Sequence, residues 1–211
     1  RHRGSIVVPG GRARPQPTIM LLGVVRERSE GERRVALVPS TLSQLAKAKI
    51  EVVVERGAGT PAGYSDVQYT DAGAKLATRE EVFAQADIVC TVRCLGADPS
   101  NGPSDLAMLK PGQTMVGMAD PLSVPAAVSD AARTGATVFA LELVPRITRA
   151  QAMDVLSSQA NLAGYKAVLL GAVEMPKLLP MMTTAAGTIP PAKALIVGAG
   201  VAGLQAIATA K

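Results

Sequence analysis

The stretch IEVVVERGAGTPAGYSDVQYTDAGAKLATREEVFAQADIVCTV, residues 50–92, sets the fold class. It opens on a short β-branched run, IEVVVE (50–55), and closes on another, DIVCTV (87–92). Between them lies TREEVFAQA, in which Thr78 and Glu81 stand at the spacing of a capping box. Short apolar runs alternating with helices are the mark of a mostly parallel sheet flanked by helices. The alternation extends both ways. Upstream come LLGVV (21–25) and PSTLSQLAKA (39–48), with Ser40 as the expected N-cap. Downstream come TMVGMA (114–119), PLSVPAAVSDAART (121–134), stopped by Gly135, and ATVFALEL (136–143). Five such strands predict an N-terminal α/β domain over residues 20–145.

Composition narrows the function. Of 211 residues 48% are hydrophobic, ample for a core. Two Phe, three Tyr and no Trp leave almost nothing from which to build a base-stacking platform. Two Cys and one His provide neither a disulfide framework nor a zinc site, and they fit a reducing compartment. The net charge of +5 is concentrated in Arg1, Arg3, Arg12 and Arg14; without these four, 18 basic residues face 17 acidic ones. The body is near neutral, which removes the electrostatic argument for nucleic-acid binding. Residues 1–19 read as a disordered or non-native basic extension, and the single histidine, His2, lies in it. The most apolar long stretch, 167–182, is interrupted by Glu174, Pro176, Lys177 and Pro180, short of the roughly 20 apolar residues that span a bilayer.

After Pro145 the rhythm changes. Residues 150–179 hold no strand-like run and predict one long helix or two abutting ones, ended by Pro176 and Pro180. TTAAGTIPP (183–191) has the composition of a linker. The last segment, 188–211, reads as the first βα unit of a Rossmann domain: a buried strand over Ala194–Val197, then a helix of small residues over Val201–Ala210. Between them Gly198-Ala199-Gly200-Val201-Ala202-Gly203 forms G-x-G-x-x-G. Gly198 would permit the tight turn, Gly200 the approach of a pyrophosphate, and Gly203 close packing of helix on strand. Unpaired N–H groups at the helix start would face the phosphates. The acidic residue that holds a ribose hydroxyl, roughly 20 residues further on, would lie beyond Lys211. The expectation is that this is the front portion of a longer protein and does not bind nucleotide tightly by itself.

A second constellation occupies the junction, residues 146–187 being expected to form a loop and a long linker helix. Within PRITRAQAMDVLSSQ (145–159), Arg146, Arg149, Gln151, Asp154, Ser157 and Ser158 crowd donors and acceptors together, a set suited to a carboxamide. Asp154 shares a helix face with Ser157 or Ser158. The same residues also suit a plain helix start, with Asp154 stabilising the first turn and the arginines solvated.

GVVRERSEGERRVALVPS (23–40), RITRAQAMDVLSSQANLAGYKA (146–167) and GTIPPAKALIVGAGVAGLQAIATAK (187–211) together resemble the NAD(H)-binding subunit of proton-translocating NAD(P) transhydrogenase. The resemblance runs from Met20 to the end, and the chain is similar also to alanine dehydrogenase. It implies that Arg146, Gln151, Asp154 and Ser157 surround the nicotinamide and act in hydride transfer, with Ile147, Thr148, Arg149, Ala152 and Met153 completing that loop. It implies further that the backbone at Gly198, Gly200, Val201 and Gly203 approaches the cofactor. NAD(H) would be bound here and NADP(H) on a partner domain. Membrane-spanning and NADP-binding subunits would be the partners, a homodimer the assembly, and the cytoplasmic side of the plasma membrane the location.

Chemistry separates the two relatives. Oxidative deamination needs a proton-transfer group, normally His, and a cation for the substrate carboxylate. Alanine dehydrogenases supply a His and a Lys. The matching stretches here are TVRCLG (91–96), with Arg93, and VGMADPL (116–122), without His. Hydride transfer between two nicotinamides needs position and exclusion of water, not an acid or base. Glu32, Arg33 and Arg34 are expected in ion pairs, Cys90 and Cys94 in structural roles, and the eight Met as fillers of core or interface gaps. No metal site is expected.

Overall fold

A computed structural model describes residues 19–211, so the expectation about the basic extension falls almost wholly outside them. The β-branched runs become β1 (Met20–Val24), β2 (Ile50–Glu55), β4 (Ile88–Arg93), β5 (Thr114–Met118) and β6 (Thr137–Ala140), with a sixth strand, β3 (Lys75–Ala77), among them. They form one sheet in the order β3-β2-β1-β4-β5-β6. β1 runs parallel to β2 and β4, β2 to β3, and β4 to β5; Leu22 stands opposite Val52 and Ile88.

Five helices connect these strands: α1 (Leu42–Lys47), α2 (Asp66–Asp71), α3 (Arg79–Gln85), α4 (Gly102–Leu106) and α5 (Pro125–Arg133). Both faces of the central strands are covered. Leu22, Val24, Val52 and Val54 pack with Leu42, Ala58 and Tyr69. The alternate residues, Gly23 and Val53, point the other way. There α3 lies so close that a Cβ on Gly23 would come within 2.6 Å of Val82 Cγ1 and 2.8 Å of Ala86 Cβ. Because the order steps outward from β1 and then returns to its other side, a topological switch point opens between β1 and β4.

Local signals meet mixed fates. Thr78 and Glu81 form the expected capping box: the Thr78 N–H donates to Glu81 Oε2 at 2.8 Å, and Thr78 Oγ1 accepts from the Glu81 N–H at 3.3 Å. Gly135 follows α5 with φ 73°, a left-handed stop. Ser40 does not cap α1; Pro39 starts a 3-10 turn (Pro39–Thr41) that displaces the helix start past it. Strand β6 ends at Ala140, and 141–143 turn as 3-10 instead of extending the strand.

The chain divides into two compact units, one ending at Phe139 and one beginning at Ala140. The second contains a 3-10 turn (Thr148–Met153), α6 (Val155–Glu174), an antiparallel hairpin of β7 (Met182–Thr184) and β8 (Gly187–Ile189), and α7 (Val201–Ala210). The expected linker is thus a hairpin, closed through Gly187 at φ 135°. The expected buried strand at Ala194–Val197 is absent: the segment is irregular, with Leu195 90% and Val197 92% exposed. A parallel strand exists only by pairing, and no described strand runs beside it. Among the described residues no helix is long and apolar enough to cross a membrane.

Candidate functional site

The three glycines of the G-x-G-x-x-G turn stand in different settings. Gly198 has φ 104°, where side chains are strained. Gly200 caps α7 with φ −77°, and a Cβ added there would meet nothing within 4 Å, so its flank is open to an approaching group. Gly203 has no such freedom: a Cβ would collide with the Gly198 carbonyl oxygen and lie 2.9 Å from its carbon. The helical ladder begins where the Leu204 N–H donates to the Gly200 carbonyl at 2.9 Å. The first N–H groups of α7 therefore lie outside the ladder, at the turn, with the positive end of the helix dipole.

At the start of α6 the polar set condenses around one carboxylate. Asp154 is the N-cap: Oδ1 accepts the Ser157 N–H at 2.9 Å, and Oδ2 accepts the Ser157 hydroxyl at 2.7 Å. Arg146 Nε stands 3.9 Å from the same Oδ2. The Ser157 hydroxyl, then its N–H, with Arg146 adding charge, hold the Asp154 carboxyl below its ordinary range. Ser158 turns away and donates to the Val155 carbonyl at 3.1 Å. Arg146, Asp154 and Ser157 are therefore brought together. Ile147, Thr148, Arg149, Gln151, Ala152 and Met153 are exposed on the 3-10 turn and its approach. The Asp154 carboxylate that caps α6 is the same group that pairs with Arg146.

The first unit carries charges of its own. Glu32 accepts from the Arg34 backbone N–H at 3.0 Å and from its guanidinium at 2.8 and 2.6 Å, which lowers the Glu32 pKa. Arg33 Nε donates to the Pro61 carbonyl at 3.3 Å. Burial pushes the Cys90 thiol up to about 11, so it stays protonated and unreactive near neutrality. Cys94 is buried. No cluster of three or more His, Cys, Asp or Glu suited to a metal occurs among the described residues.

Sequence reasoning passes over Glu27. It follows β1 at the switch point and accepts the N–H groups of Val92 (2.7 Å) and Arg93 (3.1 Å) at the end of β4. Desolvation outweighs these two bonds and raises its pKa. The signal available is an acidic residue shortly after a buried β-branched strand. A raised folded pKa means the native state binds the proton more readily than the unfolded chain. This contribution is therefore full below the ordinary carboxylate range and declines as pH rises through the folded value. Urea unfolding of wild type and Glu27→Gln between about pH 4 and 8 should show the wild type losing ground to the variant as pH rises; parallel profiles would contradict this.

Similarity to known proteins covers most of the chain. Residues 23–163 match the alanine dehydrogenase/PNT N-terminal domain, and 167–211 match the alanine dehydrogenase/PNT C-terminal domain. An NAD(P) transhydrogenase subunit alpha polypeptide of Rhodospirillum rubrum is 46% identical over 194 residues, 91% of this chain and 50% of that protein. Alanine dehydrogenase of Methanococcus maripaludis is 30% identical over 194 residues, 89% of this chain and 49% of that protein. The crystal structure of transhydrogenase from Sinorhizobium meliloti superposes with a TM-score of 0.84 at 44% identity, over 90% of this chain and 55% of that one. The chain thus spans about half the length of these relatives.

Proposed function

The chain belongs to the alanine dehydrogenase/PNT family, and from that premise we propose that it is the NAD(H)-binding component of a proton-translocating NAD(P) transhydrogenase. The observation that carries this reading is the pairing, within one unit, of a glycine turn whose Gly200 flank is open with an Asp154–Ser157–Arg146 cluster at the start of α6. The turn offers N–H groups to a pyrophosphate. The cluster offers a carboxylate and a guanidinium to a carboxamide, which needs both an acceptor and a donor. Bound NAD(H) supplies the hydride. Gln151, exposed on the 3-10 turn, would face the incoming NADP(H) side. Arg146, Asp154 and Ser157 would fix the ring, with the loop from Ile147 to Met153 lining it.

Residues 19–211 contain no histidine, so no imidazole of this stretch shuttles the proton that oxidative deamination must move. Transfer of a hydride from one nicotinamide to the other needs no such group. NADP(H) would be held by a partner domain, and proton movement would belong to membrane-spanning partner subunits. A homodimer attached through those partners to the cytoplasmic face of the plasma membrane completes the proposal.

The test is an assay of the chain carried to the length of its relatives, with its partner subunits. NADH with an oxidised NADP analogue should give rapid hydride transfer, while alanine with NAD⁺ should give none. The reverse pattern would make it an amino-acid dehydrogenase. No turnover of either pair would make it a non-catalytic component.

A further inference from the structure

Resting on the dinucleotide reading above, we propose that Gly164 is a positioning residue of the cofactor site, one that sets the glycine turn relative to the helix beginning at Asp154. Gly164 is the buried residue of α6, and it meets the first turn of α7. A Cβ on Gly164 would collide with the carbonyl oxygen of Ala202, and would lie 2.9 Å from its carbonyl carbon and 3.0 Å from its Cα. All three are backbone atoms, so no rotamer change relieves the contact. α7 itself must withdraw, by roughly 1 Å, to regain ordinary van der Waals separation.

Ala202 lies between Val201, the first residue of α7, and Gly203, which is locked against the Gly198 carbonyl. A displaced α7 therefore carries the whole turn with it, including the N–H groups aimed at the phosphates. The other end of the lever is fixed, because α6 starts at the Asp154 cap that holds Ser157. Gly164 thus determines the separation between the two ends of one nucleotide, pyrophosphate and nicotinamide. A misplacement of about 1 Å can cost about 100-fold in a step that depends on geometry.

Gly171, also in α6, supplies the control: a Cβ there would meet nothing within 4 Å. Either glycine changed to Ala favours the helix, so only the crossing distinguishes them. In the chain carried to the length of its relatives, calorimetry should show Gly164→Ala binding NADH about 10-fold or more weakly than wild type, with Gly171→Ala unchanged. A crystal structure of unliganded Gly164→Ala should show α7 displaced from α6. Wild-type affinity in Gly164→Ala would overturn the proposal while leaving the dinucleotide site standing. No NADH binding by the wild type would remove both. Should Gly164→Ala fail to fold, hydrogen exchange of the wild type decides: NADH should slow the amides of 198–203 together with those of 160–168. Slowing at the turn alone would refute the coupling.

Discussion

Asp105→Ala should destabilise the chain by about 3–5 kcal/mol, the cost of leaving a buried charge without its partner. Arg79 is only 8% exposed and Asp105 only 6%. The Arg79 guanidinium donates to both Asp105 oxygens, at 2.9 and 2.5 Å, to Glu55 Oε2 at 2.8 Å and to the Arg26 carbonyl at 2.9 Å. Phe83 lies beneath it, with the ring centroid 5.7 Å from Cζ. Arg28 reaches Asp105 Oδ1 at 2.6 Å, and the Arg26 N–H reaches Glu55 Oε2 at 2.8 Å. The network thus ties the segment after β1, the end of β2, the start of α3 and the short helix α4 into one cluster. Without Asp105, Arg79 keeps Glu55 but loses its two-pronged acceptor in a place water does not reach. Replacing both partners with apolar residues, Arg79→Met with Asp105→Leu, removes the stranded charge and should cost clearly less than the sum of the single changes. Urea unfolding of the four proteins measures this. A loss below about 1 kcal/mol in Asp105→Ala would mean that water enters and replaces the carboxylate as the acceptor for Arg79.

That network also marks where the sequence stops being legible. Arg79 is visible only as the residue after a helix cap, because its partners stand 24 and 26 positions away and nothing local announces them. Strand β2 is legible because IEVVVE is long and β-branched. β3, only three residues (Lys75–Ala77), carries too little pattern, although it completes the sheet edge beside β2. Helix α2 escapes notice despite a local signal, since Ser65 and Gln68 form a capping box as regular as that of Thr78 and Glu81. The hairpin at 182–189 lacks the Asn-Gly or Asp-Gly pair that usually marks such turns, so its small residues read as a linker. Ala194–Val197 fails for the opposite reason. Its apolar run is locally strand-like, but a strand is a relation between segments, and no described partner is there to supply it. The glycine turn and the Asp154 cluster are legible because both are local: their spacing within one turn and one helix start already dictates their contacts.

The second large effect is expected at Asp154, where cap and catalysis can be separated by the choice of substitution. Asn caps a helix about as well as Asp, so Asp154→Asn should keep the Ser157 N–H bonded and leave the urea midpoint at its wild-type value. Asp154→Ala removes the acceptor and should lower that midpoint. If Asp154 served only as a cap, hydride transfer would follow stability, nearly intact in the first variant and impaired in the second. The proposed role predicts otherwise. With NADH bound, its ring would gain positive charge as the hydride leaves, and an ionised Asp154 held near it would lower the energy of that charge. The Ser157 hydroxyl and N–H, with Arg146, hold the Asp154 pKa below the ordinary carboxylate value. Asp154→Asn should therefore slow NADH-to-NADP transfer by about 10-fold or more through lost transition-state stabilisation. Asp154→Ala should be at least as slow. The sign of the pH dependence follows from the lowered pKa: the wild-type advantage over Asp154→Asn should persist across neutral pH and fade only as pH falls through the depressed value. Stopped-flow transfer rates of the wild type and both variants, read beside their urea midpoints, decide the matter. An Asp154→Asn rate equal to wild type would leave Asp154 as the cap of α6 and remove it from the chemistry.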